Sequence, residues 1–208
     1  MQNKLKNNLS IAAYEQNPLK RIFLNFLEII LGARTINDLY LKSKNYDNKS
    51  NFWSSALQVL NIDLCINYLG DVEIPRKDAL IVVCNHPYGI IDGISIGKII
   101  SFYRDDYMFL ANEALKKIPE ISDKIIPVNL STLNNKKNKT SNLSSLRKVY
   151  SHLDEGGCLI IFPGGEVSSA NGIFDKPIDP KWSSLPVKLS RTFDCNILPI
   201  FIHGSSSL

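Results

Sequence analysis

The sequence predicts an α/β domain with a central, mostly parallel sheet flanked by helices and preceded by N-terminal helices. Three observations predict it. Short apolar, β-branched runs recur at Ala79–Cys84, Tyr107–Ala111, Ile125–Val128, Cys158–Phe162 and Ile197–Ile202. Helical stretches lie between them at Asp92–Tyr103, Leu143–Leu153 and Trp182–Phe193. Ala79–Cys84 is continuously apolar rather than alternating, as a strand buried on both faces requires. Strands that alternate with helices in this way build a largely parallel sheet.

Residues 1–60 read as a helical segment and 61–208 as the α/β domain. Pro18 suits a first helical turn, and Leu19, Ile22, Phe23, Phe26, Ile29 and Ile30 fall near helical spacing before Gly32. With Lys20 and Arg21 alongside, this helix either packs on the domain or lies in a membrane surface, apolar face down. Ile22–Leu31 is too short to span a bilayer, which takes about 20 apolar residues. Asn45–Asn51 reads as a polar loop and Phe52–Leu60 as a short helix. Ile62, Leu64, Ile66 and Tyr68 alternate with strand spacing, and Asn129–Asn142 reads as a polar, Lys/Asn-rich loop. Met1–Ser10 is polar, so no cleavable signal is expected.

The chain of 208 residues, with 44% hydrophobic and 21% charged residues, excludes disordered, collagen-like and coiled-coil classes. Its four cysteines form no C-x-x-C pair, which argues against a zinc module or a disulfide scaffold. A net charge of +4 is only a mild bias toward anionic partners.

In such folds the chemistry collects where strands end and helices begin. Asn85-His86-Pro87-Tyr88-Gly89-Ile90-Ile91-Asp92-Gly93 follows the first buried strand. Asp92 falls where the next helix starts, in the place of an N-cap, and a turn of this length can return it to the His86 ring. A carboxylate on one ring nitrogen fixes the tautomer and leaves the other nitrogen as a base. Phe162-Pro163-Gly164-Gly165-Glu166-Val167-Ser168-Ser169 follows a later strand. Its paired glycines permit close ligand approach, and exposed backbone N–H groups can hold a phosphate or an oxyanion. Gly93-Ile94-Ser95-Ile96-Gly97 matches the serine-hydrolase elbow, with Asp175 or Asp194 and His203 downstream. That elbow needs a tight strand-to-helix turn, and Ser95 falls inside a helical pattern. His86 has no second histidine nearby, so no metal site is expected.

Together, the two segments resemble the glycerolipid and lysophospholipid acyltransferase superfamily, most closely its bacterial hemolysin-like branch. The matching residues are Asn85-His86-Pro87, Gly89 and Asp92-Gly93, then Phe162 to Ser168. Smaller matches are Phe109–Glu113 with Leu115, Ile118-Pro119 and Leu198–Ile200, and Asp175 and Trp182 sit where that branch has an Asp and a Trp. The resemblance implies acyl transfer from an acyl thioester, on CoA or acyl carrier protein, to a hydroxyl of a lysolipid, with no bound cofactor. It gives His86 the role of general base and Asp92 that of its orienting acid. Asn85, Gly89, Gly164, Gly165, Glu166 and Ser168 become candidate substrate-binding residues. It also implies a peripheral protein on the inner face of the cytoplasmic membrane, with a membrane surface rather than nucleic acid as partner. The alternatives are a serine esterase using Ser95 and a catalytically silent lipid-binding protein.

Three departures from the commonest family form matter. His86 and Asp92 are separated by five residues, Pro87–Ile91, one more than that form but usual in the branch. Gly164 and Val167 stand where the family's F-P-E-G-x-R-S block has Glu and Arg. The block around Ile125–Asn129 lacks the expected Arg. In members acting on glycerol phosphates those arginines bind acceptor phosphate, so their absence points to an acceptor without a terminal phosphomonoester, such as a lyso-aminolipid or a lysophospholipid with a substituted headgroup. Relatives generally continue beyond Leu208, which leaves open whether the chain is a compact member or incomplete.

Overall fold

The computed structural model describes residues 52–71, 73–128, 136–170 and 177–204, the side chains of 136–142 excepted. The amphipathic pattern at Ile22–Leu31, the loop at Asn45–Asn51 and Asp175 lie outside these residues. The chain divides into two compact units. One holds α1 (Phe52–Val59) and the residues to Leu64, together with Lys117–Glu120. The other holds the sheet and every residue of the candidate site.

The sheet unit contains β1 (Leu80–Cys84), α2 (Ile90–Tyr103), β2 (Tyr107–Asn112), β3 (Ile125–Val128), α3 (Lys136–Asp154), β4 (Cys158–Ile161), α4 (Leu185–Phe193) and β5 (Asn196–Ile200). Two short 3-10 turns, Glu113–Lys117 and Pro119–Lys124, join β2 to β3. The five strands lie in the order β3-β2-β4-β1-β5, and every pairing is parallel. The expected α/β sheet is therefore present.

β1 and β4 are buried along their whole length, which explains their unbroken apolar sequences. Side chains alternate across a strand. Ile81, Val83, Leu159 and Ile161 thus share one face, packed with Val149 and Leu153 of α3 and Leu189 of α4. Crossovers between parallel strands are right-handed. From β1 the chain moves toward β2, whereas from β4 it moves the other way to β5. α2 must therefore cover the opposite face from α4. β1 and β4 are neighbours whose following helices leave on opposite faces, and that divergence opens a crevice at their C-terminal ends.

Several segment limits differ from expectation. Ile62–Tyr68 joins no ladder despite its alternation; Ile66 and Tyr68 are exposed, and the Tyr68 hydroxyl shares a 2.9 Å hydrogen bond with that of Tyr103. The latter part of the expected loop Asn129–Asn142 is helical, since α3 begins at Lys136. α4 begins at Leu185 rather than Trp182, and the Ser183 amide ahead of it donates to the Pro163 carbonyl at 3.0 Å. β5 ends before Ile202, whose N–H and C=O are both taken by the Asn85 side chain.

Below the sheet, at the N-terminal ends of the strands, Arg104 is buried. Its guanidinium pairs with both Asp106 carboxylate oxygens at 2.7 and 2.6 Å. It also donates to the carbonyls of Pro75 and Gly156 at 2.7 Å and of Asp78 at 2.8 Å. One side chain thus ties together the segments leading into β1, β2 and β4. Replacing Arg104 by Met removes the shared donor from those acceptors, of which Asp106 and Asp78 are exposed and can turn to water. Denaturant unfolding of Arg104→Met should show a loss of about 1–3 kcal/mol, with activity per folded molecule retained.

Candidate active site

The crevice above β1 and β4 is built from the two turns singled out in the sequence. His86 follows Cys84 by two residues. Its ring Nδ1 lies 2.8 Å from Asp92 Oδ2. The His86 side chain is 19% exposed and that of Asp92 is 0% exposed, so the acid is hidden and the ring faces outward. Phe162, at the end of β4, stacks on the imidazole with centroids 4.2 Å apart and planes 26° apart.

Asp92 is not the N-cap. Gly89 holds that position with φ 66°, a left-handed conformation that a glycine adopts without strain. Asp92 lies in the first turn of α2, and its Oδ2 also accepts the Tyr88 amide at 2.8 Å. The carboxylate therefore turns back over the His-Pro-Tyr-Gly turn, where the helix N-terminus favours its negative charge. Its Oδ1 is buried and has no hydrogen-bond partner among the described residues.

Ser168 joins the second turn to the first: its amide donates to the His86 carbonyl at 2.9 Å. Its hydroxyl donates to Asp179 Oδ1. The same Oδ1 accepts the His86 amide at 3.1 Å, and Asp179 Oδ2 accepts the Trp182 indole N–H at 2.8 Å. Burial alone would raise the Asp179 pKa. The hydrogen bonds from Ser168, the His86 amide and Trp182, aided by the His86 ring, outweigh burial and hold its carboxyl below the usual range.

The other candidate residues have varied surroundings. Asn85 uses its amide on the chain itself, donating to Ile202 O at 2.8 Å and accepting from Ile202 N at 2.7 Å. It clamps the segment after β5 to the end of β1. Gly164 faces protein: a Cβ there would lie 3.3 Å from Pro180 Cδ and 3.7 Å from Asp179 Cβ. Gly165 has φ +75° and faces open space. Glu166 and Val167 are exposed, and Val167 Cγ2 would touch a Cβ at Gly89 at 3.4 Å. Ser95 lies within α2, buried, with its hydroxyl donating to the Ile91 carbonyl at 2.8 Å. It occupies no strand-to-helix elbow, so the geometry does not favour the esterase arrangement. No group of His, Cys, Asp or Glu able to hold a metal occurs among the described residues.

Asp179 was not legible in the sequence. It sits in the Pro-rich stretch Lys176–Trp182, and its only local signal is the proline that follows it. Its role emerges from pairing across the fold, as the antiparallel bridge between Ser169 and Ile178 brings the stretch against the second turn.

A family model described as Acyltransferase matches residues 65–203, which include both turns and all of the sheet. The chain belongs to the acyltransferase family. This acyltransferase chain is also 23% identical over 190 residues to the lyso-glycine lipid O-acyltransferase of Phocaeicola vulgatus. That match covers 91% of this chain and 64% of the relative, so the chain spans less than two thirds of the relative's length.

The depressed Asp179 carboxyl makes an acid-stability prediction. A group whose pKa falls on folding contributes stability that is present above its unfolded value, about 3.9, and is lost as pH drops through its folded value. Asp179→Asn should be less stable than the parent at pH 7, and the gap should narrow as pH falls below about 4. Urea unfolding at a series of pH values checks this; a gap independent of pH would contradict it.

Proposed function

We propose that this acyltransferase moves a fatty acyl group from an acyl thioester, carried on CoA or acyl carrier protein, to a hydroxyl of a lysolipid. The observation that carries the reading is the His86–Asp92 contact of 2.8 Å, with the acid fully buried and the ring partly exposed in the crevice above β1 and β4. With Nδ1 turned to Asp92, Nε2 is the nitrogen available to substrate. His86 takes the proton of the acceptor hydroxyl as that oxygen attacks the thioester carbonyl. The tetrahedral intermediate then collapses, the carbon–sulfur bond breaks, and the proton passes from His86 to the leaving thiolate. Asp92 stabilises the imidazolium between these two transfers. The Gly165 amide donates to the Phe162 carbonyl at 3.0 Å, so backbone N–H groups beside it in the open turn are proposed to face the developing oxyanion.

The acceptor is proposed to lack a terminal phosphomonoester. Val167 stands where an Arg would bind phosphate, and it lies against Gly89, immediately beside the His86 turn. An apolar side chain there provides no bidentate donor. The name of the Phocaeicola vulgatus relative supports the same class, a lyso-aminolipid acceptor. The reading includes a peripheral position on the inner face of the cytoplasmic membrane. Its support is the lipid substrate class; among the described residues no helix is long and apolar enough to cross a membrane.

Purified protein incubated with a palmitoyl thioester and a lyso-glycine lipid should release free thiol in step with new ester. His86→Ala should lower that rate by about 10²–10⁴-fold, whereas Ser95→Ala should leave it within about twofold, since Ser95 only caps a carbonyl within α2. Thiol release that survives His86→Ala, or that depends on Ser95, would overturn the mechanism. With lysophosphatidic acid as acceptor the rate should be lower than with the lyso-glycine lipid; the reverse preference would overturn the acceptor class.

A further inference from the structure

We propose that Asp179 is a positioning residue for the reaction, holding the backbone of His86 so that its ring presents Nε2 to the acceptor hydroxyl. The proposal rests on reading His86 as the general base. Asp92 fixes the ring at Nδ1 alone, at 2.8 Å. A ring held at one nitrogen still swings if its backbone moves. The peptide groups of His86 are held from the second turn: its carbonyl accepts the Ser168 amide at 2.9 Å, and its amide donates to Asp179 Oδ1 at 3.1 Å. The Ser168 hydroxyl donates to that same Oδ1. His86 N–H, Asp179 Oδ1, Ser168 O–H, Ser168 N–H and the His86 carbonyl thus form a closed cycle of hydrogen bonds. Asp179 is the corner that completes it.

Two further features fix that corner. Trp182 donates to the remaining oxygen at 2.8 Å, so the carboxylate cannot rotate freely. Gly164 has no side chain to hold off the 179–180 segment, and a Cβ there would already lie 3.3 Å from Pro180 Cδ. Gly164 thus lets Asp179 reach the His86 amide. This assigns Gly164 to packing of the site rather than to contact with substrate. A displacement of about 1 Å at a reacting group costs about 10²-fold in rate, which sets the effect expected from opening the cycle.

Steady-state kinetics with a palmitoyl thioester and a lyso-glycine lipid test the proposal on the full chain, with kcat scaled to folded protein. Asp179→Ala should lower kcat about a hundredfold while leaving KM for donor and acceptor within about twofold. Asp179→Asn keeps the Oδ1 acceptor for the His86 amide and the Ser168 hydroxyl, loses only the bond from the Trp182 indole, and should restore kcat to within about tenfold of the parent. An Asp179→Ala kcat within about threefold of the parent would overturn the proposal, as would a loss expressed in KM, which would make Asp179 a substrate contact. If Asp179→Ala does not fold, Asp179→Asn decides: a kcat within about tenfold supports positioning, and inactivity equal to that of His86→Ala overturns it. His86→Ala in the same assay separates the two levels. An active His86→Ala removes both the base and its positioning, whereas an inactive His86→Ala beside an unimpaired Asp179→Ala removes the positioning alone.

Discussion

The site depends on one buried hydrogen bond, the 2.8 Å contact between His86 Nδ1 and Asp92 Oδ2. An aspartate with no exposed side-chain surface is costly to keep charged unless its environment favours the charge. Here the Tyr88 amide and the first turn of α2 stand beside it, and the imidazole completes the arrangement. β1 delivers the histidine, α2 delivers the acid, and Gly89, with its positive φ, makes the reversal between them short enough.

A second layer holds the first. The turn after β4 is fastened to the turn after β1 by Ser168, and the segment that follows is fastened to both by Asp179. Asn85 fastens the chain after β5 to the same strand end. Three segments distant in sequence therefore converge on the C-terminal ends of neighbouring strands, at the point where their crossovers diverge. The opposite end of the sheet is closed by Arg104, so the groups that secure the fold and those that compose the site are separated by the length of the strands.

Much of this was legible in the sequence because it is local. Unbroken apolar runs marked β1 and β4, which are buried on both faces, and His86 and Asp92 share one short turn. What was illegible is what tertiary pairing decides. Asn85 reads as a site residue, yet its amide is bound to Ile202. Gly164 reads as an opening for ligand, yet it makes room for Pro180. Asp179 carries little local signal beyond the proline after it, since two of its partners, the amide of His86 and the hydroxyl of Ser168, are distant in sequence. The alternation at Ile62–Tyr68 misleads for a related reason: a strand needs a neighbour, and this segment pairs with none of the five strands.

The most direct test of the central claim is the ring nitrogen chemical shifts of His86, read by NMR on protein labelled with ¹⁵N histidine, with His86→Asn providing the assignment. The bond to Asp92 predicts a neutral ring at alkaline pH with its proton on Nδ1 and a bare, basic Nε2. A proton found on Nε2, or the averaged shifts of an imidazole exchanging freely between tautomers, would contradict it.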